Sequence, residues 1–124
     1  SWFYEFDSRV KPQIPYAVFP TDAPFWMMAG LARWTMLPDG TKHVTVAVIT
    51  VEPNEVLRSV GHHRSPAILR DEKEAGNWLR ANRQDALQLL RPYPNQTMGV
   101  EAVPMGIKIP GNQAVDIPAA VTRK

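Results

Sequence analysis

The sequence predicts a single α+β domain over residues 1–124, mainly β, with a few short helices. Three observations predict it. The chain has 124 residues, 44% of them apolar, enough to bury one core and too few for two. Its best-patterned stretches alternate with a period of two, the signature of strands. Twelve prolines cut the remainder into short elements and leave little room for long helices.

Trp2 to Phe6, WFYEF, reads as a short strand with Trp2, Tyr4 and Phe6 on one face and Phe3, Glu5 and Asp7 on the other. Glu5 therefore stands among aromatic residues. Desolvated there, its pKa rises and it becomes a candidate proton donor or acceptor near neutral pH; on an exposed edge it is an ordinary solvated glutamate. Asp7 to Pro15 is a charged loop with two prolines, and Tyr16 to Phe19 is a second strand ended by the turn signal Pro20-Thr21-Asp22.

Phe25 to Met36 reads as a strand interrupted by Gly30, because the turn Pro38-Asp39-Gly40 leads it back into His43 to Val51, the strongest strand pattern in the chain. Both faces of HVTVAVITV are largely apolar. That predicts a central strand covered on both sides. Pro53 to Val60 has helical spacing, and Gly61 stops it. His62, His63 and Arg64 follow, and after Pro66 the apolar run Ala67-Ile68-Leu69 is expected as a buried strand. Asp71 and Glu74 have the spacing of a capping box at the start of a helix containing Trp78 and Leu79. Asn82 and Asp85 open another, which Arg91-Pro92 ends. One more strand is expected near Val100 to Val103.

The charge balance is mild. A net +2, from 14 basic and 12 acidic residues, neither demands nor excludes a polyanionic partner. Nine of the basic residues are arginine, whose planar fork suits phosphate better than the point charge of lysine. The absence of cysteine excludes a disulfide framework, a thiolate metal site and a cysteine nucleophile supplied by these residues. The longest apolar run, near Val44 to Val51, is far too short to span a bilayer, and no secretory signal is visible. The expectation is a cytoplasmic monomer with no membrane partner, nucleoid-associated in a bacterial host. A start at Ser1 that runs at once into a strand points to residues upstream of it.

SVGHHRSPAIL, Ser59 to Leu69, holds the densest chemistry. On an extended backbone His62 and His63 point to opposite sides, so only one enters a given pocket. His43, Glu5 or Asp7 would have to complete a zinc site, and no metal-ligand spacing is present; no metal or other cofactor is expected. Ser59 and Ser65 lie near histidine without a nucleophile elbow, which argues against a serine hydrolase.

Five pieces occur in order: FYEF (Phe3 to Phe6), Ala29-Gly30-Leu31, TVEPNEV (Thr50 to Val56), HHRSPAIL (His62 to Leu69) and LLRPYP (Leu89 to Pro94). In spacing and order they resemble the SRAP domain, the SOS-response-associated peptidase family, whose corresponding patterns are FYEW, AGLW, TTEAN, IHxRMP and a late proline-rich tyrosine turn. The resemblance implies a barrel-like, mainly β core, of which this chain is the later and larger part. It also implies binding of single-stranded DNA that carries abasic sites. In the family an amino-terminal cysteine condenses with the ring-opened sugar aldehyde to give a thiazolidine cross-link. The glutamate of FYEW and the histidine of IHxRMP assist proton transfer.

Carried over by position, these two are Glu5 and His62, with Arg64 as the motif arginine and His63 at the variable position. The chemistry suits them. Abasic deoxyribose is mostly a closed hemiacetal, and opening it needs an acid and a base. Arg64 would hold a phosphate, and Trp2 and Trp34 are candidates to stack on unpaired bases, although core packing is the other reading for each tryptophan. Departures are visible. The amino-terminal cysteine and an upstream asparagine are absent, Phe6 and Ala32 stand where the family has tryptophan, Ser65 replaces methionine, and Pro104 to Asn112 lacks the family's late asparagine pair. A non-catalytic nucleic-acid-binding module that has kept the fold is therefore the alternative. Peptidase action implied by the family name reduces to self-cleavage at the amino terminus.

Overall fold

A computed structural model describes residues 2–105, so the expected features of Pro104 to Asn112 fall largely outside the described residues. Among the described residues the fold is mixed, with three short α-helices and several small antiparallel sheets.

The largest sheet has the order β1-β2-β9, from β1 (Phe3–Asp7), β2 (Ile14–Pro20) and β9 (Met98–Ala102), each pair antiparallel. The predicted alternation in β1 holds. Phe3 packs on the main core against Trp26, with ring centroids 5.6 Å apart, while Tyr4 packs on the opposite side with Ala17 and Val103. The main core gathers Val18, Leu57, Ile68, Tyr93 and Met98.

Between β2 and β9 the chain forms three arms. β3 (Met27–Met28) pairs with β8 (Ile68–Leu69), β4 (Gly30–Met36) with β5 (Lys42–Val48), and β6 (Thr50–Val51) with β7 (Ser65–Pro66). One residue separates the two strands within each segment, and the three separators bond to one another: Ala29 N–H donates to Ala67 O (2.8 Å), Ala67 N–H to Ile49 O (2.8 Å) and Ile49 N–H to Ala29 O (2.9 Å). Each segment therefore changes partner at that residue. Ala29 and Ala67 are fully buried, and their small side chains permit three backbones to meet at one point. The described residues form small open sheets and close no barrel, so the barrel-like part of the expected core is not seen among them.

The hairpin of β4 and β5 overturns a second expectation. Its turn is as predicted, with Gly40 at φ 83° and Asp39 Oδ1 accepting from the Thr41 N–H (2.9 Å) and hydroxyl (2.6 Å). Among the described residues, however, β5 is exposed along its whole length and pairs only with β4. The apolar alternation was a property of both faces, but the partners that would cover them are not among the described residues.

The helices follow their caps. α1 (Glu55–Ser59) is capped by Asn54, α2 (Glu72–Arg80) by Asp71, whose carboxylate accepts from the Glu74 N–H (2.7 Å), and α3 (Arg83–Leu89) by Asn82, which accepts from the Asp85 N–H (3.0 Å). α2 and α3 cover Ala29, Ala67 and Leu69 through Ala75, Trp78, Leu89 and Leu90, and the Trp78 indole donates to Gly30 O (3.2 Å). No helix among the described residues is long and apolar enough to cross a membrane.

Candidate functional site

The site is built where β1 faces the end of α1. Glu5 pairs in register with Tyr16, and the pleat sends its side chain to the same face as Asp7. Across from it, α1 ends in a tight and fully bonded turn. The Gly61 N–H donates to Arg58 O and the His62 N–H to Leu57 O, both at 3.0 Å, with Gly61 left-handed at φ 81°. This is a Schellman arrangement, and it fixes the backbone from which His62 projects.

Glu5 and His62 meet. His62 Nε2 contacts Glu5 Oε2, and both side chains are largely buried, 24% exposed for the histidine and 18% for the glutamate. Burial pushes the Glu5 carboxyl above its ordinary range, and the charge and hydrogen bond of His62, with the charge of His63, offset part of that rise. His62 Nδ1 is buried and has no hydrogen-bond partner in the structure. The glutamate is therefore the desolvated group among aromatics, one of the two readings that the sequence left open, and not an exposed edge residue. An acid held toward its protonated form, bonded to an imidazole, can deliver a proton to one oxygen of a substrate while its partner accepts one from another.

His63 departs from expectation. The backbone at His63 bends instead of continuing a strand, and the two imidazoles lie nearly parallel, 4° between planes and 6.3 Å between centroids. The side chains are neighbours, and His63 contributes to the field at Glu5. Alternation fails because it assumes extended backbone, and the helix-ending turn does not supply it.

The remaining predicted residues lie elsewhere. Arg64 folds back on Thr50, donating from Nη2 to its carbonyl (2.6 Å) and from Nε to its hydroxyl (3.1 Å), with Glu52 at 3.8 Å from Nη1; its side chain is about half exposed. Trp34 is 70% exposed on the hairpin, opposite Val44, and Trp2 is partly exposed just before β1. Among the described residues no group of three or more His, Asp or Glu side chains is arranged to hold a metal ion.

Asp7 and Arg9 lie against the turn that carries His62, which contains Gly61; in the sequence, Gly61 carries only the role of ending α1, Asp7 only that of a candidate metal ligand, and Arg9 none. Asp7 was legible as a face-mate of Glu5; Arg9 carried no signal. Asn54, within TVEPNEV, caps α1 through Oδ1 and donates from Nδ2 to Tyr93 O (3.0 Å), so it ties that stretch to LLRPYP.

The family model described as SOS response associated peptidase (SRAP) matches residues 1–109. The chain belongs to the SRAP family. An abasic site processing protein of Bacillus subtilis, YoaM, is 31% identical to it over 121 residues, 93% of this chain and 52% of YoaM. Among solved structures, a Bacteroides thetaiotaomicron protein superposes with a TM-score of 0.80 at 26% identity, over 99% of this chain and 53% of its own. A Bordetella bronchiseptica protein does so with a TM-score of 0.73 at 25% identity, over 84% of this chain and 52% of its own. The SRAP chain described here spans about half the length of each of these relatives.

Proposed function

We propose that this chain is the later part of an SRAP protein that processes abasic sites in single-stranded DNA, and that Glu5 and His62 are its acid–base pair. The observation that carries the reading is the buried contact between Glu5 and His62, the two residues that match the family's glutamate and histidine motifs. In ring opening the bond from C1′ to the ring oxygen breaks. The ring oxygen takes a proton from the acid, the C1′ hydroxyl gives one to the base, and an aldehyde results. An amino-terminal cysteine then attacks through its amine and thiol and loses water to form a thiazolidine. With no cysteine in the 124 residues, that nucleophile belongs to a part of the protein outside them.

Arg64 would bind a phosphate flanking the lesion, and Trp2 and Trp34 would stack on unpaired bases. The reaction needs no cofactor. The protein is expected to act as a cytoplasmic monomer, close to the nucleoid in a bacterial host.

The test is incubation of the full-length protein with single-stranded DNA bearing one abasic site, followed by a denaturing gel. A covalent adduct is expected, and Glu5→Gln or His62→Ala should slow its formation or reversal by about 10²–10⁴. No adduct, with binding that weakens steeply with salt, would instead mark the non-catalytic module. Rates unchanged in both variants would reject the assigned roles.

A further inference from the structure

We propose that Asp7 and Arg9 form a positioning pair that holds the Gly61-His62 turn against β1 and so sets the contact between Glu5 and His62. This rests on the acid–base reading above for its consequence in catalysis, but its geometry is independent of it. Asp7 is 5% exposed, at the end of β1 on the face that carries Glu5. Arg9 grips both of its oxygens: Nε and the backbone N–H donate to Oδ1 (2.9 and 3.0 Å), and Nη2 donates to Oδ2 (2.7 Å). The same Nη2 also donates to Ser59 O at 2.9 Å, a carbonyl at the end of α1 that has no further turn of helix to bond it. One guanidinium thus joins two elements 50 residues apart in sequence.

The turn lies flush on this pair. A Cβ at Gly61 would stand 2.5 Å from Asp7 Oδ1 and 2.7 Å from Arg9 Nε, far inside contact distance, and φ of 81° is itself costly for any other residue. Glycine is required twice at that position, for its backbone and for the approach of the ion pair. His62 is the next residue in the chain, so displacement of Gly61 shifts the backbone from which the imidazole projects. The charged or titratable groups around the imidazole are Glu5 and Asp7 from β1, Arg9 from the loop after it, and the neighbouring His63, with Tyr16 of β2 beside Arg9.

Asp7 and Arg9 touch no substrate in this scheme, so the decisive readout is the imidazole itself. In full-length protein labelled with nitrogen-15, the His62 ring signal is assigned by its change in Glu5→Gln. Arg9→Lys keeps the charge at an exposed position but loses the fork, and Asp7→Asn keeps the size but loses the carboxylate. Both are expected to shift the His62 ring signal toward its position in Glu5→Gln. Both should also slow adduct formation by roughly ten- to a hundredfold, with half-saturating DNA concentration unchanged. Gly61→Ala should do the same. A His62 ring signal and adduct rate equal to wild type in Arg9→Lys, whose exposed side chain makes misfolding a minor risk, would overturn the proposal. A wild-type protein that gives no adduct overturns the functional reading alone, and the ring signal then decides the positioning role by itself.

Discussion

Two carboxylates on one strand face, Glu5 and Asp7, are pushed in opposite directions by what surrounds them. Burial raises Glu5, whereas hydrogen bonds from Arg9 lower Asp7. Their linkage to stability has opposite signs. A raised carboxyl binds its proton more tightly in the folded state, so Glu5 favours folding most at low pH, and that contribution is lost as pH rises from the ordinary carboxyl range through its folded value. Asp7 contributes above the ordinary range, and its contribution is lost as pH falls through its lowered value. Melting temperatures measured across pH should therefore show Glu5→Gln flattening the decline on the alkaline side of the carboxyl range and Asp7→Asn flattening the decline on the acid side. Identical profiles for wild type and both variants would refute the assignment. The shared face of the two carboxylates is legible in WFYEFD, Trp2 to Asp7, since period two follows from strand geometry alone. The partnership of Glu5 with His62 was legible only through the SRAP motifs, because nothing local to either residue encodes a contact made across the fold.

At the scale of elements, side-chain caps are the best-read features. Asp71 and Asn82 open α2 and α3 as their spacing predicts, because a cap is chemistry within four residues. Asn54 combines a cap with a long-range tie, which makes it a sharp test. Asn54→Ala removes the cap of α1, at about 0.5–2 kcal/mol, and leaves the Tyr93 carbonyl without this donor, at about 1–3 kcal/mol more. Chemical denaturation should register a loss beyond that of a cap alone; a loss of about 1 kcal/mol or less, what a cap typically contributes, would show that the tie to Tyr93 contributes nothing. The exchange of partners at Ala29, Ile49 and Ala67 could not be foreseen. Strand patterns report which face is apolar and not which strand pairs with which, so the switch arises only when three distant backbones converge.

For the whole molecule, apolar sequence and buried sequence are different things. HVTVAVITV is the most strand-like stretch, yet Val46 is 71% exposed, while Leu57, from a less conspicuous helical turn, is fully buried in the main core. Leu57→Ala is expected to cost about 2–5 kcal/mol and Val46→Thr no more than about 0.5 kcal/mol, read from unfolding midpoints of the 124-residue chain. A large cost at Val46 would mean that the hairpin face is covered in solution. The order β1-β2-β9 also carries a consequence in time. β1 and β2 are neighbours in sequence and pair across a short loop, so half of the sheet is available early and at small entropic cost. β9 reaches β2 only by closing a long excursion, as the bond between Thr21 and Gln96, 75 residues apart, makes plain. The strand that carries Glu5 can thus pair long before β9 arrives, and among the described residues the strand that completes this sheet is the one farthest along the chain from β1.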